Sequence, residues 1–168
     1  KLGLLVFDHI FDEHLLSCQE IVGEDLHISI LTRMGPEVTE KLLKRLQGPV
    51  PGAKLLAAQC LRGRASDASV QKALFAQIED RQAPAQLRAQ CVKSLGVSVK
   101  PEMAQKVVPY LKDKRNPPAV RVAAIGCLEF SRDDTVRKVL YEACRDPVRE
   151  VRLKALETLG AHHRPGEP

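Results

Sequence analysis

One apolar pattern recurs four times at a near-constant interval, and it leaves few folds open to the chain. Val38, Leu42, Leu43 and Leu46 stand at offsets 0, 4, 5 and 8. The same offsets carry Val70, Leu74, Phe75 and Ile78, then Met103, Val107, Val108 and Leu111, then Val136, Leu140, Tyr141 and Cys144. The starting positions lie 32 or 33 residues apart. At about 100° per residue, a step of four advances the helical wheel by only about 40°, so offsets 0, 4 and 8 form one stripe that offset 5 broadens. Each segment is therefore read as an amphipathic helix, here called a B helix.

A second skeleton alternates with the first. Val151, Arg152, Ala155, Leu159 and Gly160 read as apolar, basic, small, Leu and Gly at offsets 0, 1, 4, 8 and 9. Leu87, Arg88, Cys91, Leu95 and Gly96 repeat it, and so do Val120, Arg121, Ala124 and Leu128, with Glu129 in the glycine place. Ala53, Lys54, Ala57, Leu61 and Arg62 give a weaker copy, and Leu26, His27, Ile30, Met34 and Gly35 the faintest. These are the A helices, whose small residues let backbones approach closely. One amphipathic helix cannot bury its stripe alone, but a stacked series of helical pairs can. No strand alternation is sustained, so the expected fold class is all-α.

The punctuation between helices agrees. Gly35 and Gly96 sit where left-handed C-caps are expected. Pro36 and Pro101 open the next helices, and Ser66-Asp67 and Asp133-Asp134 serve the other two starts. Gly48, Asp80, Asp113 and Asp146 each follow a B helix, ten residues beyond its first anchor. Helices are expected near 5 to 19, 24 to 34, 37 to 47, 52 to 64, 67 to 79, 85 to 95, 101 to 112, 118 to 130, 134 to 145 and 148 to 160. Pro109 falls inside the third B helix, where a kink or early split is expected. Residues 1 to 20 and 148 to 160 lack complete pairs, so the expectation is a segment of a longer solenoid.

This alternation resembles the HEAT repeat family of armadillo-like helical solenoids. The resemblance rests on Leu87-Arg88, Val120-Arg121 and Val151-Arg152, on Leu95-Gly96 and Leu159-Gly160, and on Asp80, Asp113 and Asp146 ahead of the A helices. It covers residues 49 to 160 well and residues 24 to 48 weakly. It implies a right-handed superhelical solenoid of stacked antiparallel helical hairpins, spanning residues 1–168 as a single unit, with A helices convex and B helices concave. It also implies a ladder in which Asp80, Asp113 and Asp146 pair with Arg88, Arg121 and Arg152 respectively, or with the adjoining Arg. Lys54, Gly48 and Glu129 depart from the family pattern.

The family fixes no activity, so function has to come from surfaces. Offsets 2, 3, 6 and 9 of the B helices face away from the stripe, and Lys41, Lys44, Lys72, Lys106, Lys112, Lys138 and Arg145 stand there. Stacking would align them as a basic track for an acidic protein segment, with nucleic-acid phosphate as the alternative. Residues 1 to 34 hold six acids against Lys1 and Arg33, a net of −4, which leaves +9 of the total +5 on the remainder. The chain has no Trp and only 4% aromatic residues, leaving little to stack on exposed bases. Glycine-rich phosphate loops and zinc-finger spacings are missing from the sequence.

No acid/base pair or nucleophile is distinguished, so an enzyme using an unrecognised groove site is a second alternative behind a non-catalytic scaffold. No cofactor or metal is expected: His9, His14 and His27 have generic spacing, and His162-His163 reads as a surface pair. Cys18, Cys60, Cys91, Cys127 and Cys144 are spread singly through helical patterns, where they read as core. Tyr110 and Tyr141 read as helix packing. Single cysteines point to a reducing, intracellular location, cytoplasmic or nuclear, and no apolar run is long enough to span a bilayer.

Overall fold

The computed structural model describes residues 2–17, 26–96, 101–131 and 133–162. Its regular elements are all helical: α1 (Leu2–Ser17), α2 (Leu26–Arg33), α3 (Glu37–Gln47), α4 (Pro51–Cys60), α5 (Ala68–Glu79), α6 (Ala85–Leu95), α7 (Pro101–Lys112), α8 (Pro118–Cys127), α9 (Asp134–Ala143) and α10 (Arg149–His162). A 3-10 turn over Leu61–Arg64 prolongs α4. No strand occurs among the described residues.

The apolar stripes become the core. At offsets 0, 4 and 8 the B helices bury Val38, Leu42, Leu46, Val70, Leu74, Ile78, Met103, Val107, Leu111, Val136 and Leu140. The offset 5 residues Leu43, Phe75 and Val108 are partly buried against them. The last B helix differs, because Tyr141 is 52% exposed rather than packed. From the A helices come Leu56, Ala57, Cys91, Val92, Ala124, Ile125, Val151 and Ala155. Full burial of one such Leu or Ile contributes about 1.5–3 kcal/mol, so the repeated stripe is the main stabilising feature.

Two series of contacts run along the chain. α4 packs on α2, α6 on α4, α8 on α6 and α10 on α8. In the second series α3 packs on α1, α5 on α3 and α9 on α7. Close contacts between the series join α3 to α4, α5 to α6, α7 to α8 and α9 to α10. The closest chain-adjacent partners are thus a B helix and the A helix after it, one step out of phase with the expected A-then-B pairing. The α6–α8 seam is the most intimate, because Cys91, Ala123 and Ala124 keep side-chain bulk out of it.

Helix ends follow the expected chemistry at their starts. The Asp67 and Asp133 carboxylates accept the amides of Ser69 and Thr135 as N-caps. Pro51 and Pro118 occupy first-turn positions where no amide donor is required. The C-caps differ from expectation. Gly96 is right-handed (φ −69°, ψ −6°), and the φ of Gly35 also lies outside the left-handed region. What Gly96 supplies is room: a Cβ there would lie 2.6 Å from Cys127 Sγ and 3.1 Å from its Cα. α7 also continues through Pro109 rather than splitting, since Pro109 and Gln105, whose carbonyl loses its donor, are both exposed to water.

Candidate functional site

The outward cations of the B helices fall into two groups. Lys72, Lys106, Lys112, Lys138 and Arg145 are exposed, and none makes an ion pair or side-chain hydrogen bond among the described residues. Lys44 is exposed but tied to Glu40 at 2.8 Å within its own helix. Lys41 is not part of an open track. It is half-buried, pairs with Asp8, donates to the Leu4 carbonyl at 3.0 Å and lies over the Phe7 ring. Arg45 similarly approaches Asp8 and Asp12 at 3.5 and 3.4 Å and covers Phe11. The acidic beginning of the chain is therefore used to hold α1 on α3. Lys112 shares a hollow of about 290 Å³ with Lys114 and Glu142, and Arg145 lines another of about 360 Å³ with Tyr141 and Leu156.

The arginines do form rungs, and they match the expected ladder only where Asp146 takes the adjoining Arg121. Arg88 donates to the Ile78 carbonyl at 2.8 Å and to Asn116 Oδ1 at 2.7 Å, not to Asp80. Arg121 pairs with Asp146, not Asp113, and Nε donates to the Asn116 carbonyl at 3.3 Å. Arg152 donates to the Asp146 and Pro147 carbonyls. Asp80 accepts the Gln82 amide in its own turn, and Asp113 binds Arg115 and Arg81. Each completed rung thus reaches forward, from an A helix to the residue before the next loop proline: Asn116-Pro117 and Asp146-Pro147. The expected register counted from the B stripe, whereas the proline before the A helix sets the acceptor.

Asp146 is the most constrained carboxylate. Burial works to raise its pKa, but Lys114 at 2.5 Å, Arg121 and the Val148 amide outweigh burial and hold it at about 2. Asp113 also lies at about 2, because its half-buried carboxylate is bound by the Arg115 side chain and amide.

Polar residues that the sequence reading missed tie neighbouring elements. Arg64 donates to Thr39 Oγ1 at 3.1 Å and to the carbonyls of Thr32 at 2.9 Å and Met34 at 2.5 Å, clasping the turn between α2 and α3. Offset 7 of the A helices carries a second series. Ser94 donates to the Ala58 carbonyl at 2.6 Å, and Cys127 donates to that of Val92 at 2.9 Å, each reaching back one A helix. Cys60 and Thr158 share that offset. Its signal was visible as a recurring small hydroxyl or thiol at a place where Leu or Ala would otherwise serve.

One rung is incomplete. Lys54 stands in the arginine place of α4, and Ala83 stands before Pro84, where an acceptor is needed. A pocket of about 450 Å³ lies there, lined by Lys54, Leu55, Asp80, Ala83, Pro84 and Leu87 among others. Among the described residues the Lys54 side chain makes no hydrogen bond or ion pair, its charge acting on the Cys91 thiol.

Burial works against ionisation of three of the thiols. Burial pushes Cys91 and Cys127 up to about 12 and raises Cys144 as well. Tyr110 is also pushed up to about 12 by burial and by Glu79, to which its hydroxyl donates at 3.3 Å, and its ring stacks on Phe75. Cys18 and His163 lie outside the described residues, as do the side chains of His14, His27 and His162. Among the described residues no group of three or more His, Cys, Asp or Glu is placed to hold a metal ion. Nor is any described helix long and apolar enough to cross a membrane. Compared with known proteins, the chain matches no family model and no curated protein.

Proposed function

We propose that this chain is a protein-interaction scaffold of the HEAT type, a right-handed superhelix of stacked helical hairpins whose B helices receive an acidic segment of a partner protein. The observation that carries the reading is the set of exposed cations Lys72, Lys106, Lys112, Lys138 and Arg145 on α5, α7 and α9 and at the end of α9, unpaired among the described residues. Most apolar residues of those helices are taken up by helix packing, while these charges bind no partner among the described residues. The contact of α7 with α9 places Lys106 and Lys138 on adjacent helices. A row of desolvatable charge steers an oppositely charged partner and sets its register.

The same cations suit phosphate, so the deciding experiment compares both partners. Lys72, Lys106 and Lys138 are changed together to Glu, and helicity is checked against the native chain. Labelled DNA and RNA are titrated at several salt concentrations, beside a protein partner whose direct contact has been mapped to these helices. Protein binding lost on reversal, with weak nucleic-acid association throughout, supports the scaffold. Micromolar nucleic-acid binding that weakens steeply with salt and disappears in the variant makes the chain a nucleic-acid binder instead.

A further inference from the structure

The pocket beside Lys54 is the place of a rung that the chain does not complete. In the two completed rungs an A-helix cation is buried against an acceptor carried by the next loop: Arg88 on Asn116, and Arg121 on Asp146. Both acceptors directly precede a loop proline. At the corresponding step between α4 and α6 the donor persists as Lys54, but the residue before Pro84 is Ala83, whose methyl accepts nothing. The result is a lysine in the lining of a cleft whose walls include Leu55, Leu87, Pro51 and Pro84. Asp80 stands at the same cleft with one carboxylate oxygen occupied by the Gln82 amide.

We propose that this pocket binds a carboxylate side chain of a partner polypeptide, an Asp or Glu flanked by apolar residues, which supplies in trans the acceptor that Ala83 lacks. Charge complementarity with Lys54 selects the acid, and charge-assisted hydrogen bonds are the strong ones in a partly dry site. The apolar walls take the flanking side chains, and Asp80 offers its remaining oxygen to a peptide amide. This site deepens the protein-binding reading and rests on it, but it lies on the A-helix side and uses none of the B-helix cations.

The test is a methyl-detected NMR titration of the full chain with two blocked heptapeptides, acetyl-Gly-Ser-Leu-Glu-Leu-Ser-Gly-amide and its Gln counterpart. The Glu peptide is expected to shift the Leu55 and Leu87 methyls saturably and to bind about tenfold more tightly than the Gln peptide. Lys54→Met keeps the aliphatic stem and should abolish that preference. Ala83→Asp installs the acceptor in cis, so it should raise the melting temperature and block the Glu peptide. The Lys72, Lys106 and Lys138 reversal should leave the preference intact, which separates a failure here from a failure of the B-helix reading. Equal binding of the two peptides, shifts that survive unchanged in Lys54→Met, no saturable shift, or identical shifts from acetate or inorganic phosphate alone would each overturn the proposal.

Discussion

Asp146→Asn removes one buried charge and little else, and its consequence can be worked from the structure. The residue is 2% exposed, and its carboxyl titrates at about 2 in the folded chain against an ordinary 3.8. Lowering of that size corresponds to about 2.5 kcal/mol of stability contributed by the charged form. The folded pKa is the lower of the two, so the unfolded chain takes up the proton first. The contribution is therefore complete above about pH 5 and lost as pH falls from about 4 to about 2. An amide fits such a rung, since Asn116 already accepts from Arg88 at 2.7 Å. Urea unfolding should show the variant about 2 kcal/mol less stable than the native chain at pH 7, with an unchanged denaturant slope. The gap should close between pH 4 and pH 2, where the native carboxyl also becomes neutral. Other carboxylates titrate in both proteins and cancel in the difference. A gap below about 0.5 kcal/mol at pH 7, or one that does not depend on pH, refutes the paired, buried state assigned to Asp146.

Gly96→Ala should destabilise the chain by about 1–3 kcal/mol in the same assay, because its methyl would enter the space held by Cys127; an unchanged midpoint would mean that the α6–α8 seam yields. Arg64→Met should cost about 1–3 kcal/mol and speed amide exchange at Val38 and Thr39 more than in α9. Uniform exchange across both regions would show that Arg64 does not clasp the α2–α3 turn. Asp8→Asn with Asp12→Asn should loosen α1 by only about 0.5–2 kcal/mol, since the pairs with Lys41 and Arg45 are partly exposed, and the loss should shrink in high salt. A salt-independent loss would place the tie in packing of Phe7 and Phe11 instead.

The B helices were legible in the sequence because each carries its own periodic stripe and its own start signal. Val70, Leu74 and Ile78 announce a buried face without reference to anything distant, and Asp67 caps the same helix through a residue two positions away. Pairings between helices were less legible. Arg88 and Asp80 are eight residues apart, yet the guanidinium turns to Asn116, 28 residues ahead, a contact no local pattern signals. Lys41 looked outward by its offset, but α1 supplies Asp8 and the Phe7 ring at that place. Gly96 looked like a backbone cap, and only the proximity of Cys127 shows that side-chain volume is what it excludes. Tyr141 sits at an offset that is partly buried in the three earlier B helices, and the exposed neighbours Leu153 and Leu156 show how much that burial owes to surrounding helices.

The forward arginine rungs and the backward bonds at offset 7 fasten the α4–α6 and α6–α8 seams unequally. The seam between α6 and α8 is held by Arg88 to Asn116, by Cys127 to the Val92 carbonyl, and by the close fit of Gly96 on Cys127. At the seam between α4 and α6, Ser94 to the Ala58 carbonyl is present but the arginine rung is not. Where each junction adds its own coupling, tension or denaturant separates the weaker of these two junctions first. Filling the pocket beside Lys54 would then stiffen the weaker of the two.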